Sequence, residues 1–179
     1  MEENLPIVYI SLLLVILAAI ALFIFRQILR TRRIEGRFAK LQRKLQKEPG
    51  TPQEYYELGS LYLDRKLYVK AIQLLQRALK EGSDVEPENQ ALIYNALGFA
   101  YAAQEQYDLA IRQYKEALKL NPDYIAASNN LGNVYEKKKL TAQALEAYET
   151  TLAIESTNTM AKRRAEALRK RLSPSRASE

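Results

Sequence analysis

With no cysteine and no histidine anywhere in its 179 residues, the chain lacks thiol nucleophiles, soft metal ligands and the commonest general base. Its carboxylates are dispersed, and neither a glycine-rich phosphate loop nor a nucleophile elbow is present. No catalytic residues, metal site or cofactor site are expected. The groups left for chemistry are amides and aromatic rings: Asn95, Asn129, Asn130 and Asn133, with Tyr56 and Phe99. An amide both donates to and accepts from a peptide backbone, and a ring grips a side chain. The chemistry on offer is recognition of a protein segment with few ionic contacts.

The elements that must position these groups are set by a 34-residue register. In residues 91–124 it is marked by Tyr94, Leu97, Gly98, Tyr101, Ala110, Tyr114, Ala117 and Pro122. Leu131, Gly132, Tyr135, Ala144 and Tyr148 repeat it in residues 125–158. An earlier copy, residues 52–85, carries Tyr55, Leu58, Gly59, Tyr62, Ala71 and Ala78, with Leu75 replacing the aromatic and Ser83 the closing proline. Gly98 and Ala110 permit close approach of two helices, while Ile111, Tyr114, Ala117 and Leu118 return at the period of one buried helix face. Pro122 ends the second helix by withholding a backbone donor.

These positions resemble the tetratricopeptide repeat (TPR), for which three copies are the usual minimum. The resemblance implies an all-α fold, a right-handed superhelix of three helical hairpins. A further helical run over residues 159–172 can cap the last hairpin through Met160, Ala161, Ala165 and Leu168. Residues 173–179 are polar and read as a disordered tail. At the other end, Glu48, Pro49 and Gly50 break the preceding helix, and Thr51, Pro52 and Glu54 form a helix start with a capping box. Gly59 and Gly98 are 39 residues apart instead of 34. The five additional residues, 86–90, read as a surface loop.

In TPR domains the first helix of each hairpin lines the concave face. Transferred residue by residue, that geometry gives a groove of Tyr56, Ser60 and Leu63, then Leu92, Asn95, Phe99 and Ala102, then Asn129, Asn130, Asn133 and Glu136. For Asn130 and Asn133 the alternative role is local hydrogen bonding. The clamp by which some TPR domains hold a chaperone's terminal carboxylate needs lysine, arginine and asparagine where this chain has Tyr56, Ser60, Ala96, Ala126 and Asn130. Chaperone tails are not expected partners.

Residues 5–25 contain no charge over 21 positions, and at about 1.5 Å per residue they reach roughly 30 Å, the thickness of a bilayer core. They read as one transmembrane anchor within residues 1–25. A cleaved secretory signal is the alternative, through Ala19, Ile20 and Ala21, but Glu2 and Glu3 precede the apolar run where a signal carries positive charge. Residues 26–51, a basic amphipathic helix and linker, contain Arg26, Arg30, Arg32, Arg33, Arg37, Lys40, Arg43, Lys44 and Lys47. This places the carboxyl-terminal side in the cytoplasm or a plastid stroma. An apolar stripe of Ile34, Phe38, Leu41 and Leu45 lets this stretch lie on anionic lipid or pack on the first repeat.

The overall charge of +6 is unevenly placed: +7 over residues 26–48 and +5 over residues 159–179, but −4 over residues 49–158. Nucleic-acid binding by the repeats is not expected, because the electrostatic attraction that dominates it has the wrong sign there.

An amino-terminal anchor, a basic amphipathic stretch, three TPR units and a short basic tail together resemble the membrane-anchored TPR proteins that assist photosystem I assembly in cyanobacteria and plastids. The resemblance covers nearly the entire chain. It implies a single-pass thylakoid protein, amino terminus in the lumen and TPR domain on the cytoplasmic or stromal side, whose partners are photosystem I subunits or other assembly factors. The alternative is a TPR receptor or adaptor that captures peptide segments for another membrane pathway, such as protein import.

Overall fold

The computed structural model describes residues 5–82 and 85–173. Ser83, and the expected tail beyond Ser173, lie outside them. Among the described residues all regular structure is helical: α1 (Leu5–Lys47), α2 (Pro52–Asp64), α3 (Tyr68–Lys80), α4 (Pro87–Ala103), α5 (Tyr107–Leu120), α6 (Ile125–Lys137), α7 (Thr141–Ile154) and α8 (Thr159–Leu172). The chain divides into two compact units between Glu48 and Pro49.

The first unit is one helix of 43 residues, continuous from its apolar half into its basic half. Leu13, Val15 and Phe23 are each more than half exposed, and the helix is long and apolar enough to cross a membrane. Arg26, Arg30, Arg33, Arg37, Lys40, Lys44 and Lys47 alternate at spacings of four and three, so an unbroken helix sets all seven along one side. The helix stops at Lys47, two residues before a proline that disfavours helical geometry in its predecessor.

In the second unit α2/α3, α4/α5 and α6/α7 are antiparallel hairpins stacked in order, and α8 packs on α7. The capping box at the start of α2 is present: Thr51 Oγ1 accepts from the Glu54 amide at 3.2 Å, and Glu54 Oε2 accepts from the Thr51 amide at 3.0 Å. Ala161, Ala165 and Leu168 of α8 are buried in the last core, while Met160 remains 37% exposed. Each hairpin turns through one residue with left-handed backbone, Lys66, Glu105 and Lys139, at φ 58°, 60° and 61°. The next residue's amide then reaches back five positions, to the carbonyls of Tyr62, Tyr101 and Tyr135, at 2.9–3.0 Å. This closes the end of the first helix in the manner of a Schellman motif, although none of the three residues is glycine.

Residues 86–90 do not form the loop that their number suggests. Glu86 caps α4, and Pro87 begins a continuous 17-residue helix. Proline suits the first helical position, and Glu88 complements the helix dipole there. Gln90 braces the entry, its Nε2 donating to the Val85 carbonyl at 2.8 Å and to that of Gly82 at 3.3 Å. The insertion becomes about one more turn of helix.

The hairpin cores are built on close approach. A β-carbon at Gly98 would lie 2.6 Å from the Tyr114 ring, and one at Gly132 would lie 2.8 Å from the Tyr148 ring. In the first hairpin the equivalent pair is Gly59 and Leu75, at 3.0 Å. The facing small residues Ala71, Ala78, Ala110, Ala117 and Ala144 are fully buried. Thr151 takes the place of Ala78 and Ala117 in the third hairpin. Its hydroxyl donates to the Ala147 carbonyl, which also receives the Ser128 hydroxyl at 2.8 Å. Gly98→Ala is expected to destabilise the chain by about 1–3 kcal/mol through overpacking. Adding Tyr114→Leu should remove most of that increment, and a double-mutant cycle by chemical denaturation measures the coupling.

Candidate functional site

The groove residues arise from three helices that share one role in the stack. Tyr56, Ser60 and Leu63 lie on α2, Leu92, Asn95, Phe99 and Ala102 on α4, and Asn129, Asn130, Asn133 and Glu136 on α6. Phe99 and Asn133 are exposed, Phe99 at 46%, and the others are half-buried. Phe99 is the large apolar side chain that α4 exposes, while Ala91, Ile93, Ala96, Leu97 and Ala100 of the same helix are buried.

Two of the asparagines are joined across repeats. Asn130 Nδ2 donates to Asn95 Oδ1 at 3.0 Å, and Asn95 Nδ2 donates to the Tyr124 hydroxyl at 3.2 Å. Tyr124, the last residue of its repeat, was not singled out by the groove pattern, and nothing in the sequence ties it to a residue 29 positions earlier. Burial raises its phenol pKa and nearby Tyr56 adds to the rise, while the hydrogen bond from Asn95 opposes it. The hydroxyl therefore stays protonated at neutral pH, and it accepts from Asn95 while keeping its own hydrogen to donate. Asn95 is committed on both sides of its amide. Asn133 makes no hydrogen bond among the described residues, so its donor and acceptor face solvent. The Asn129 side-chain oxygen is enclosed without a hydrogen-bond donor.

Glu136 has a different set of partners. The Tyr148 hydroxyl donates to Glu136 Oε1 at 2.8 Å, and Arg164 of α8 lies 3.5 Å from Oε2. Its carboxylate links α6, α7 and α8. Charge is also uneven along the stack. Neither α2 nor α4 contains a lysine or arginine, whereas α8 has six among its 14 residues.

Tetratricopeptide-repeat profiles match residues 37–86 and 125–158, and a TPR-repeat profile matches residues 100–139. The ycf37 protein of Cyanophora paradoxa is 36% identical over 156 residues, covering 87% of this chain and 90% of its own. The chain belongs to the ycf37/PYG7 family of TPR proteins. The chloroplastic TPR domain-containing protein PYG7 of Arabidopsis thaliana is 36% identical over 171 residues, which is 96% of this chain and 56% of PYG7. The chain thus spans little more than half of that relative. Among solved structures, MamA superposes with a TM-score of 0.71 at 26% identity, over 80% of this chain and 81% of its own. Cut9, in its complex with Hcn1, gives 0.67 at 25% identity over 72% of this chain and 25% of Cut9. As a member of a TPR family the chain is a protein-interaction scaffold, not an enzyme.

Two outcomes follow from the site's geometry. Glu136→Ala leaves the Tyr148 hydroxyl without its acceptor and should cost about 1–3 kcal/mol of stability, whereas Asn133→Ala should stay within about 0.5 kcal/mol; thermal denaturation separates them. Burial pushes the phenols of Tyr114 and Tyr148 above their ordinary value of 10.0, and for Tyr148 the hydrogen bond to Glu136 and that carboxylate's charge add to the rise, against Arg164. The unfolded chain then ionises first. Stability is fully present below about pH 10 and declines above it, which a series of melting curves from pH 8 to 11 should record.

Proposed function

We propose that the chain is a membrane-tethered scaffold that holds a protein segment in the groove of α2, α4 and α6 and assists the assembly or stability of photosystem I on the cytoplasmic or stromal face of the thylakoid. The observation that carries the groove reading is the exposure of Phe99 and Asn133, on helices that bury Leu97 and Leu131. Tyr56, Ser60, Leu63, Leu92 and Ala102 supply the apolar and small surface, Asn129 and Asn130 the further amides, and Asn95 holds Asn130 and Tyr124 in place. The photosystem reading is supported by kinship with a chloroplastic protein.

The tether reading rests on the uncovered apolar half of α1. Its charge flanks, acidic before the span and strongly basic after it, favour a lumenal amino terminus. The whole helix is about 65 Å long, twice a bilayer core. Its basic half therefore extends beyond the hydrocarbon region, its first turns at the level of anionic headgroups.

The test is mass spectrometry of proteins co-purified with the tagged full-length chain from gently solubilised thylakoid membranes, compared with a Phe99→Ala/Asn133→Ala variant. Photosystem I subunits should be enriched with the unaltered chain and fall about tenfold with the variant, since groove anchors commonly contribute more than 1 kcal/mol. The variant's thermal midpoint should not move. Recovery of import precursors instead would replace the photosystem reading with the receptor reading.

A further inference from the structure

The helical extension of α4 creates a feature that a regular 34-residue repeat would lack. Between the start of α2 and the start of α4 lies a cleft of about 220 Å³. Pro52, Tyr56, Val85 and Leu92 wall it, and Glu86 and Asn89 stand on its rim. Glu86 and Asn89 belong to the inserted segment itself, and Gln90 of the same segment is hydrogen-bonded to Val85, which lines the cleft, and to Gly82. Its volume falls below the roughly 300–1,000 Å³ of small-molecule pockets, and suits a single large side chain.

The lining of the cleft carries charge of one sign. No lysine or arginine lines the cleft, and α4 contains none along its length. Glu86 at the cap and Glu88 in the first turn contribute two negative charges, against the roughly half positive charge of a helix amino terminus. Of these two only Glu86 lines the cleft, so the rim carries one carboxylate. An anionic occupant would meet that field, and a cationic one would be drawn to it. Asn89, exposed on the rim, offers an amide to the occupant's backbone.

We infer that this cleft is the anchor pocket of the groove, receiving a large apolar side chain from a partner segment that carries lysine or arginine next to it. This rests on the groove reading above and specifies the class of segment. The apolar side chain fills the space between Tyr56 and Leu92, and the neighbouring cation reaches Glu86 on the rim. The rest of the segment continues toward Phe99 and Asn133.

The test uses the full-length chain in detergent micelles and three labelled ten-residue peptides. One has a central phenylalanine flanked by lysines, one has alanine for the phenylalanine, and one has glutamate for the lysines. Fluorescence anisotropy should give tightest binding for the first, with at least a tenfold loss for each of the others. Glu86→Lys/Glu88→Lys should invert the preference between the lysine and glutamate peptides, and Leu92→Glu should abolish the advantage of phenylalanine over alanine. Equal binding of all three peptides by the unaltered chain would overturn the inference, as would an unchanged preference after charge reversal. The peptide comparison on the unaltered chain decides the question even where a variant fails to fold. Photosystem subunits recovered through Phe99 and Asn133 without any peptide preference would sink the pocket and leave the groove. Loss of both would sink both.

Discussion

The spacing of each hairpin is fixed where a ring of the second helix occupies space that a β-carbon of the first helix would fill. Tyr114 against Gly98 and Tyr148 against Gly132 are closer than any side chain at the glycine allows. With the rings seated there, the facing positions accept only small residues, and Ala110, Ala117 and Ala144 are wholly buried. The same contact turns the outer faces of α4 and α6 in a common direction. The amides of Asn95 and Asn130, 35 residues apart, meet only because both helices are held at that distance and rotation. The groove is thus a consequence of the packing behind it.

The first hairpin satisfies this constraint differently. Leu75 replaces the ring, and a β-carbon at Gly59 would meet its branch at 3.0 Å, a contact that small movements of a flexible side chain can relieve. The third hairpin replaces a buried alanine by Thr151. That hydroxyl is tolerated because the Ala147 carbonyl one turn back accepts it. Variation of residue type between repeats therefore follows what each local cavity can absorb, and the stack continues across all three.

How much of this was legible depends on the range of the interaction. Repeat positions, the capping box at Thr51 and the buried face of α8 depend on neighbours within a turn or two, and sequence spacing reports them directly. The helical path of residues 87–90 is not visible in a count of repeat lengths, which shows an insertion without showing its conformation. Pro87 and Glu88 were the available signal, since both suit a helix's first turn. The hairpin turns carried no signal, because lysine and glutamate stand where left-handed backbone usually selects glycine. Tyr124 and the double engagement of Glu136 depend on contacts 12 to 29 residues away. Glu136 follows the groove pattern in sequence, while the structure gives its carboxylate to Tyr148 and Arg164. No periodicity encodes such a choice.

The energetics of a groove built this way favour reversible capture. One aromatic anchor buries about 150–250 Å² and contributes on the order of 4–6 kcal/mol at 25 cal/mol per Å². Association itself costs roughly 4–15 kcal/mol before other contacts are counted. A cleft for one side chain, a few amides and an exposed ring therefore sum to modest affinity in free solution. On the proposed membrane placement, α1 changes that balance without adding a contact, because scaffold and membrane-bound partner then share a thin layer and meet at raised effective concentration. Occupancy comes from confinement, and release stays fast because the contacts remain few. That combination suits the transient holding role proposed above.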